Sequence, residues 1–389
     1  MDQVKRARLA VAAVFCVHGA VAGSFATRIP WIKEHLHAGT GMLGVVLLAP
    51  AVGSLIAMPM AGRLAHRLGG RATTRLTLAL WCLVLALPAL APDLPVLWVT
   101  LVAFGASAGM CDVVMNAQGV VVEQRLERSI MSGLHGMWSV GGLIGGAVGV
   151  WAAYAGLDAR VHLALMSALL LAAGGVAGRR LLDVRPEPQA AAPPRFVLPS
   201  RRIGLIGLVG FCAVFGEGAG QGWCAVYLKQ VTGASPTVAA ASFTAFAFTM
   251  AAGRFCGDLV VRRLGPVQAV RISGALAVLG AVLIAVARSP VPAITGFMFL
   301  GLGVAVVVPL VFAAAGNAAP TPSEGVAGVA TIAYTSGFIA PSAIGMIGSA
   351  TSLSVSFALV AVLAAAMLAG AGALARRPCP IDPGPVPAT

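Results

Sequence analysis

Two carboxylates in the middle of long apolar stretches are the residues of this sequence best placed to do chemistry. Of the 13 acidic residues, only Asp112 and Glu217 lie well inside stretches long enough to cross a bilayer. An ionisable side chain at that depth costs about 2.5–3.5 kcal/mol and normally faces a cavity or a partner. The two positions therefore predict proton exchange or the binding of a polar solute. The alternative is that each carboxylate fixes helix packing through hydrogen bonds.

Amide side chains near the two carboxylates extend the candidate substrate-binding or proton-coupling site. Asn116 shares a helix face with Asp112, because residues i and i+4 stack, and Gln221 stands in the same relation to Glu217. Gln118 lies two residues beyond Asn116. An amide beside a carboxylate suits the recognition of hydroxyl or amine groups. Interhelical hydrogen bonds are the alternative function for these amides.

Histidine and aromatic side chains in the apolar stretches form a second group of candidates. His18 lies in the middle of the first stretch and His135 near the start of the fifth. A histidine can carry protons near neutral pH, and packing is the alternative role. We rank His18 above His135, and both above Tyr334. For Trp223 an interfacial aromatic belt is favoured over stacking on a sugar ring.

Charged residues between the stretches predict gating contacts. Glu123, Arg125, Glu127 and Arg128 cluster between the fourth and fifth stretches. We expect them to form an ion-pair latch between two halves of the molecule. Arg28, at the outer end of the first stretch, is a candidate for gating the solute, and anchoring in the lipid headgroups is the alternative.

The composition identifies the elements that must position these residues. The chain has 389 residues, of which 59% are hydrophobic and 10% charged, and its mean hydropathy is +0.92. A soluble protein carries about a quarter of its residues as charges, so a soluble enzyme and a disulfide scaffold are both excluded. Six of the seven cysteines lie in apolar stretches and no CxxC pair occurs, which predicts neither a zinc site nor disulfides. The chain is predicted to be a polytopic membrane protein.

The apolar stretches predict twelve transmembrane helices, since a helix needs about 20 residues to cross the hydrocarbon. A polar, proline-rich segment at residues 181–202 divides them into two sets of six. The predicted spans are 8–27, 41–61, 73–91, 95–121, 132–154, 161–178, 203–228, 236–256, 267–287, 290–317, 325–348 and 353–374.

The distribution of basic residues predicts the orientation and the domains. With the N-terminus inside, 21 of the 26 Lys and Arg residues lie in cytoplasmic segments and five outside. Both termini are therefore predicted to be cytoplasmic. The predicted domains are an N-terminal six-helix bundle at 1–180, a cytoplasmic linker at 181–202, a C-terminal bundle at 203–376 and a disordered tail at 377–389.

Weak internal similarity predicts that the two halves repeat the same architecture. The tripeptide 61–63 recurs at 252–254, an offset of 191 residues, and Phe104-Gly105 corresponds to Leu300-Gly301 at an offset of 196. Gly142 corresponds to Gly337 at 195. The agreement of offsets near half the chain length predicts two parallel halves.

Residues 62–71, which read GRLAHRLGGR, resemble the loop signature between the second and third helices of the major facilitator superfamily. The acidic position of that signature is His66, which departs from the family pattern. The second copy, GRFCGDLVVRRLG at 253–265, retains its acid as Asp258. The resemblance covers the whole chain and implies an all-α fold of two pseudo-symmetric six-helix bundles. It also implies gating roles for the basic and acidic residues of the two copies: Arg63, Arg67, Arg254 and Asp258.

Within the superfamily, three further stretches resemble the MosC-like group, which is related to the fucose permeases. They read ATRIPWI at 26–32, MNAQG at 115–119 and EGAGQGWCAVYL at 217–228. Gly222 stands where we expect an acidic residue in that group.

These observations predict a secondary active transporter, a permease that moves a small, polar, sugar-like solute with protons as the coupling ion. Alternating access by symport in the bacterial inner membrane is the expected mode, with the lipid bilayer as surroundings and a monomer as the working unit. An exporter of amphipathic compounds and a transporter-derived sensor without flux are the alternatives. No cofactor, metal or nucleic acid is expected, and the absence of a phosphate-binding GxxxxGK[ST] loop or a hydrolase motif disfavours ATP-driven transport and an enzyme.

Overall fold

The computed structural model describes residues 2–37, 46, 48–183 and 200–375, and within these ranges every regular element is helical. Among its described residues, the first half contains nine helices and a 3-10 turn at Met58–Met60. The helices are α1 (Asp2–Ala26), α2 (Ile29–His35), α3 (Ala49–Ala57), α4 (Ala61–Leu68), α5 (Gly70–Val84), α6 (Leu87–Leu90), α7 (Leu94–Leu126), α8 (Met131–Tyr154) and α9 (Ala159–Gly178).

The second half contains six helices and a closing 3-10 turn at Ala371–Leu374. The helices are α10 (Arg201–Val231), α11 (Pro236–Val286), α12 (Pro290–Val304), α13 (Val307–Gly316), α14 (Pro322–Ala350) and α15 (Leu353–Gly370).

The helices match the predicted spans. Among the described residues, ten helical stretches are long and apolar enough to cross a membrane. One of these is α11, which bends at Gly265 and accounts for two predicted spans. The predicted span 41–61 corresponds to α3, the 3-10 turn and the start of α4, with residues 41–45 and 47 outside the described residues. Most of the predicted linker and the tail from residue 376 also lie outside them, so the domain boundaries stay predictions.

Capping side chains fix where several helices begin. Asp93, Ser200, Ser235, Thr321 and Ser352 each accept a hydrogen bond from the backbone N–H three residues further on. These groups would otherwise lack a partner in the first turn of the helix. Each cap follows a loop, so the sequence ends one span and starts the next at a defined residue.

Two glycines occupy equivalent places in the two halves. Gly69, between α4 and α5, has a φ of 81° and a ψ of 154°, and Gly265, at the bend of α11, has a φ of 77° and a ψ of 165°. These backbone conformations are accessible to glycine and costly for other residues. The same turn therefore joins the second and third helices of each half, as the predicted repeat requires.

Glycines bring α1 and α8 into direct backbone contact. A Cβ atom added at Gly141 would lie 1.9 Å from the carbonyl oxygen of Cys16, and one at Gly145 would lie 2.2 Å from that of Ala20. Close approach at small residues is the usual way that membrane helices associate. The glycine-rich sequence of the predicted fifth span is thus used for tight packing against the first.

We expect Gly145→Val to destabilise the protein, because the added side chain forces α1 and α8 apart. Overpacking of this kind costs about 1–3 kcal/mol. The measurement is the thermal unfolding midpoint of purified protein in detergent. Gly146→Val is the matched control, since a Cβ there has no atom within 4 Å beyond its own helix. Equal destabilisation by both substitutions would contradict the packing argument.

Candidate functional site

A polar cavity of about 380 Å³ lies between the two halves. The first half contributes residues of α1, α3, α7 and α8 to its walls, and the second half contributes residues of α10, α11, α13 and α14. Its polar lining is His18, Ser54, Asp112, His135, Glu217, Gln221, Arg254 and Tyr334. Both carboxylates that the sequence singled out are therefore in one cavity, one from each half.

Asp112 is hydrogen-bonded to neutral groups. It lies on α7 with 9% of its surface exposed, and its Oδ2 accepts a hydrogen bond of 3.1 Å from the hydroxyl of Tyr334 on α14. Its Oδ1 accepts a bond of 3.3 Å from Nδ2 of Asn116. Because Tyr334 belongs to the opposite half, the carboxyl of Asp112 directly joins the two halves.

A line of hydrogen bonds continues from Asp112 into the first half. Asn116 is fully buried behind the cavity wall, and its Nδ2 also donates to the backbone oxygen of Asp112 at 2.9 Å. Its Oδ1 is therefore left as an acceptor, and Nε2 of His135 lies 3.0 Å from it. His135 must donate here, so it holds Asn116 in place. Asn116 is positioned to orient Asp112 and does not line the cavity itself.

Glu217 forms an ion pair with Arg254. A guanidinium nitrogen, Nη2, lies 3.0 Å and 3.2 Å from the two carboxylate oxygens, and the side chains are 18% and 6% exposed respectively. Nη1 of Arg254 donates to the hydroxyl of Ser139 on α8 at 2.8 Å. Nε2 of Gln221 donates to Oε1 of Glu217 at 3.0 Å, which places this predicted residue in the site. Both residues belong to the second half, and the bond to Ser139 connects the pair to the first half.

His18 is held as a neutral side chain in this arrangement. The indole N–H of Trp138 donates to its Nδ1 at 3.0 Å, and its Nε2 lies 3.3 Å from the carbonyl oxygen of Ala108. An indole can only donate and a carbonyl can only accept, so Nδ1 carries no proton and Nε2 carries one. The ring also stacks on Trp81. Its contacts fit the packing alternative better than a proton carrier.

Gln118 lies apart from the other predicted binding residues. Its Nε2 donates to the carbonyl oxygen of Leu182 at 3.1 Å, and it lines a separate cavity of about 260 Å³ with His66 and Glu324. Gln118 therefore lies outside the cavity that contains Asp112, and its predicted binding role stays a prediction. Six residues along a helix place a side chain about 240° around the axis, which is far from the starting face.

The start of α8 is the point where the halves are joined by a carboxylate. Asp258 of α11 accepts hydrogen bonds from the backbone N–H of Ser132 at 3.0 Å and of Gly133 at 2.9 Å, and from the hydroxyl of Ser129 at 3.1 Å. A carboxylate at a helix N-terminus also gains from the helix dipole. Asp258 therefore caps a helix of the opposite half.

Where the sequence predicts an ion-pair latch, the structure describes hydrogen bonds from backbone N–H groups to Glu123. Oε2 of Glu123 accepts hydrogen bonds from the backbone N–H groups of Ile130 and Met131, at 2.8 Å and 3.1 Å, within its own half. Arg125 and Arg128 are exposed, and their side chains form no hydrogen bond or ion pair with other described residues. The loop and the start of α8 do contact the second half, through the Ser129 hydroxyl and the backbone N–H groups that donate to Asp258.

The first-half copy of the signature meets α14 without an acid of its own. Gly62 packs against Glu324, whose Cγ would lie 3.6 Å from a Cβ added at Gly62. Glu324 and Thr321 cap α14 reciprocally, because the Thr321 hydroxyl donates to Oε1 at 2.7 Å and accepts from the Glu324 N–H at 3.3 Å. Arg63 is half-buried and Arg67 is exposed beside this contact. With His66 at the acidic position, the carboxylate at the start of α14 comes from α14 itself.

Arg28 is buried, with 3% of its surface exposed, and is not an exposed headgroup anchor. Its Nε donates to Nδ1 of His162 on α9 at 3.0 Å. The residue therefore connects the end of α1 to α9 within the first half. Its predicted gating role stays a prediction.

Arg254 and Tyr334 are the site residues whose roles the sequence did not indicate. Arg254 was predicted as a gating residue of the second signature copy and not as the partner of Glu217, and Tyr334 ranked low. One signal in the sequence could have revealed them. A tyrosine hydroxyl and an arginine in apolar stretches need polar partners, and the only deeply placed acids in the sequence are Asp112 and Glu217.

Two pseudo-symmetric helical halves around a polar cavity define a secondary membrane transporter. The chain belongs to the Major Facilitator Superfamily, whose sequence model matches residues 11–341. The family consists of transporters, which confirms the predicted fold class and the prediction that the chain is not an enzyme.

Named relatives and solved structures agree with this assignment. An uncharacterized MFS-type transporter of Yersinia pestis is 36% identical over 367 residues, covering 93% of this chain and 94% of the relative. The membrane protein MosC of Rhizobium meliloti is 31% identical over 349 residues, covering 88% and 84%, which confirms the predicted resemblance to that group. Two structures of FucP, the E. coli fucose:proton symporter, superpose with TM-scores of 0.78 and 0.73 at 15% identity, and the first is in the outward conformation. They cover 95% of this chain and 99% and 98% of FucP.

We expect Asp258→Ala to weaken the contact between the halves at the start of α8. Loss of a helix cap costs about 0.5–2 kcal/mol, and here the cap also joins the halves. The measurement is the distance distribution between spin labels at positions 128 and 263, which should shift to longer values. Asp93→Ala is the control, because Asp93 caps α7 within one half. An unchanged distribution in Asp258→Ala would show that this bond does not hold the halves together.

We expect the double substitution Glu217→Gln with Arg254→Gln to be more stable than either single one. Removing one partner leaves an uncompensated charge in a largely dry site, whereas removing both leaves polar neutral groups. Thermal unfolding midpoints of the four proteins form a double-mutant cycle that measures the coupling. If the effects of the two single substitutions simply add, the ion pair contributes nothing to folding.

Proposed function

We propose that this protein is a proton-coupled transporter of a small, polar, sugar-like solute that works by alternating access. The observation that carries the proposal is the Asp112 site, in which a buried carboxyl faces the cavity and is bonded to the opposite half through Tyr334. A group in this position senses both the cavity and the separation of the halves. Both are needed to link proton binding to a conformational change.

The two carboxylates differ in what balances their charge. Glu217 is paired with the guanidinium of Arg254, so its negative charge has a cationic partner. Asp112 has no cationic partner within ion-pair distance among the described residues, and its bonds come from a phenol and an amide. We therefore assign proton binding to Asp112 and solute binding to the pair of Glu217 and Arg254. This assignment separates roles that the sequence alone left shared.

Protonation of Asp112 changes the bond that it makes with Tyr334. The ionised carboxylate can only accept hydrogen bonds, whereas the acid has one O–H that donates. A proton on Oδ2 turns the phenol from a donor into an acceptor or breaks the contact. The strength of a bond between the halves then depends on the proton, which is the coupling that a symporter needs.

The cavity wall suits a polyhydroxylated solute. Glu217, Gln221 and Arg254 supply acceptors and donors for hydroxyl groups, and Phe15, Trp138 and Tyr334 supply aromatic faces. A site of a few precise polar groups among apolar walls is typical of small-molecule recognition. The likeness to FucP, whose structure is that of a fucose:proton symporter, supports the same solute class.

The positions of the hydrogen bonds between the halves support a particular conformation of the protein in the membrane. They lie at the cavity and toward the end where α7 ends and α8 begins, where Gln124 also donates to Asn317 at 2.7 Å. The count of basic residues assigns this end to the cytoplasm. We infer a multi-pass protein of the bacterial cytoplasmic membrane with both termini inside, in a conformation closed toward the cytoplasm.

We expect Asp112→Asn to abolish accumulation driven by a pH gradient while counterflow of the same solute survives. The amide keeps the shape of the site but cannot exchange a proton, and counterflow needs no net proton movement. The measurement is uptake of radiolabelled sugars into proteoliposomes, with and without a pH gradient, after a thermal-shift screen has identified which sugars bind. Asp93→Asn, outside the cavity, is the control.

Three results distinguish the alternatives. Full gradient-driven accumulation by Asp112→Asn would leave this carboxyl a packing role only. Binding without flux for any solute in the wild-type protein would indicate a sensor. Flux of amphipathic compounds out of the vesicles, with no sugar transport, would indicate an exporter.

A further inference from the structure

A groove on the outer surface of the first half lies between α5 and α9. It encloses about 310 Å³, and its walls include Leu76, Ala79, Cys82 and Leu171. Neither helix lines the central cavity, so the groove faces away from the solute site. A membrane-spanning helix pair presents such an outer surface to lipid.

Glycines open the groove on the α9 side. Gly174 packs against Leu78, because an added Cβ would lie 2.9 Å from its Cδ2. At Gly175 an added Cβ would have no atom within 4 Å beyond its own helix. The space between Arg75 and Cys82 runs along seven residues of α5, about 10 Å. This is the shape of a channel for part of an acyl chain.

Arginines surround one end of the groove, where α5 begins and α9 ends. Arg75 forms part of the wall, and its side chain lies over Gly178. Arg71 donates a hydrogen bond to the backbone oxygen of Arg179. Arg75, Arg179 and Arg180 are exposed, and none of the three forms an ion pair with another described residue. A patch of net positive charge, to which Asp183 is the acid nearest in sequence, thus adjoins an apolar channel.

We propose that this groove binds one anionic phospholipid, with its phosphate among the arginines and an acyl chain along Gly174 and Gly175. Basic pockets between transmembrane helices bind anionic lipid headgroups. A zwitterionic headgroup would bring its own cation to the arginines, and a free phosphate would leave the apolar channel empty. The occupant therefore combines negative charge with a hydrocarbon chain. The proposal is independent of the transported solute.

Bound lipid would hold α9 against α5, because its two parts contact both helices. Stabilisation by a ligand that binds only the folded state follows from mass action. Phosphatidylglycerol should therefore raise the unfolding temperature of the purified, delipidated protein more than phosphatidylcholine does. Inorganic phosphate alone should have no comparable effect.

The test compares phosphatidylglycerol binding by native mass spectrometry and by thermal shift in five variants. Arg75→Gln with Arg179→Gln removes charge, and we expect about fivefold weaker binding for each arginine neutralised. Gly175→Leu fills the channel and keeps all the arginines, and we expect the tightly bound lipid to be lost. Arg263→Gln, an exposed arginine of the second half, and Gly204→Leu, which has open space for a side chain, are the matched controls. The fifth variant, Arg75→Lys, should bind almost as the wild type does, because it keeps the charge.

Several outcomes would overturn the proposal. Equal binding of phosphatidylcholine and phosphatidylglycerol would remove the role of the arginines. An equal loss in Arg263→Gln would reduce the effect to general surface charge. Retained binding in Gly175→Leu, measured in protein that unfolds at the wild-type temperature without lipid, would place the lipid elsewhere. Stabilisation by inorganic phosphate alone would identify an anion site without a lipid channel.

Discussion

A charge held away from water needs a counter-charge or several hydrogen bonds, and the centre of this molecule is organised around that need. Arg254 lies at the boundary of the two halves with its guanidinium largely dry. Its charge is balanced by Glu217 in its own half, and a further N–H is accepted by Ser139 in the other. The pair therefore belongs to one half and still contacts both. Whatever moves the halves apart must leave Arg254 and Glu217 together and release only the bond to Ser139.

The bonds that Asp112, Arg254 and Asp258 make between the halves share one chemical principle, because none of these bonds pairs an acid of one half with a base of the other. Tyr334 donates to Asp112, Ser139 accepts from Arg254, and Asp258 accepts from backbone N–H groups. Hydrogen bonds of this kind can be exchanged with water when the interface opens. Separating two opposite charges across the same interface would cost far more in a region of low dielectric constant.

The fold could be predicted from the sequence because hydrocarbon imposes a single requirement on length and polarity. The apolar stretches, their basic connectors and the tripeptide repeated at 61–63 and 252–254 were sufficient to predict twelve helices in two halves. The candidate site was predictable in part, since Asp112 and Glu217 are conspicuous among apolar neighbours. Their partners Tyr334 and Arg254 were not, because which residue of a distant helix faces a carboxyl depends on helix rotation and depth. The position of Gln118, in contrast, was predictable. Its separation from Asp112 along α7 places the two side chains on different faces of the helix.

The two copies of the loop signature make unequal contacts between the halves. At the second copy, the carboxylate of Asp258 accepts three hydrogen bonds from the start of α8 and the residues just before it. At the first copy, Gly62 packs against Glu324, and His66 and Glu324 line a cavity of about 260 Å³. The two edges of the interface therefore differ: hydrogen bonds to Asp258 join the halves at one edge, and Gly62 packs against Glu324 at the other. A force that separates the halves at the cavity would first open the contact between Gly62 and Glu324. The halves would then rotate about the contact at Asp258.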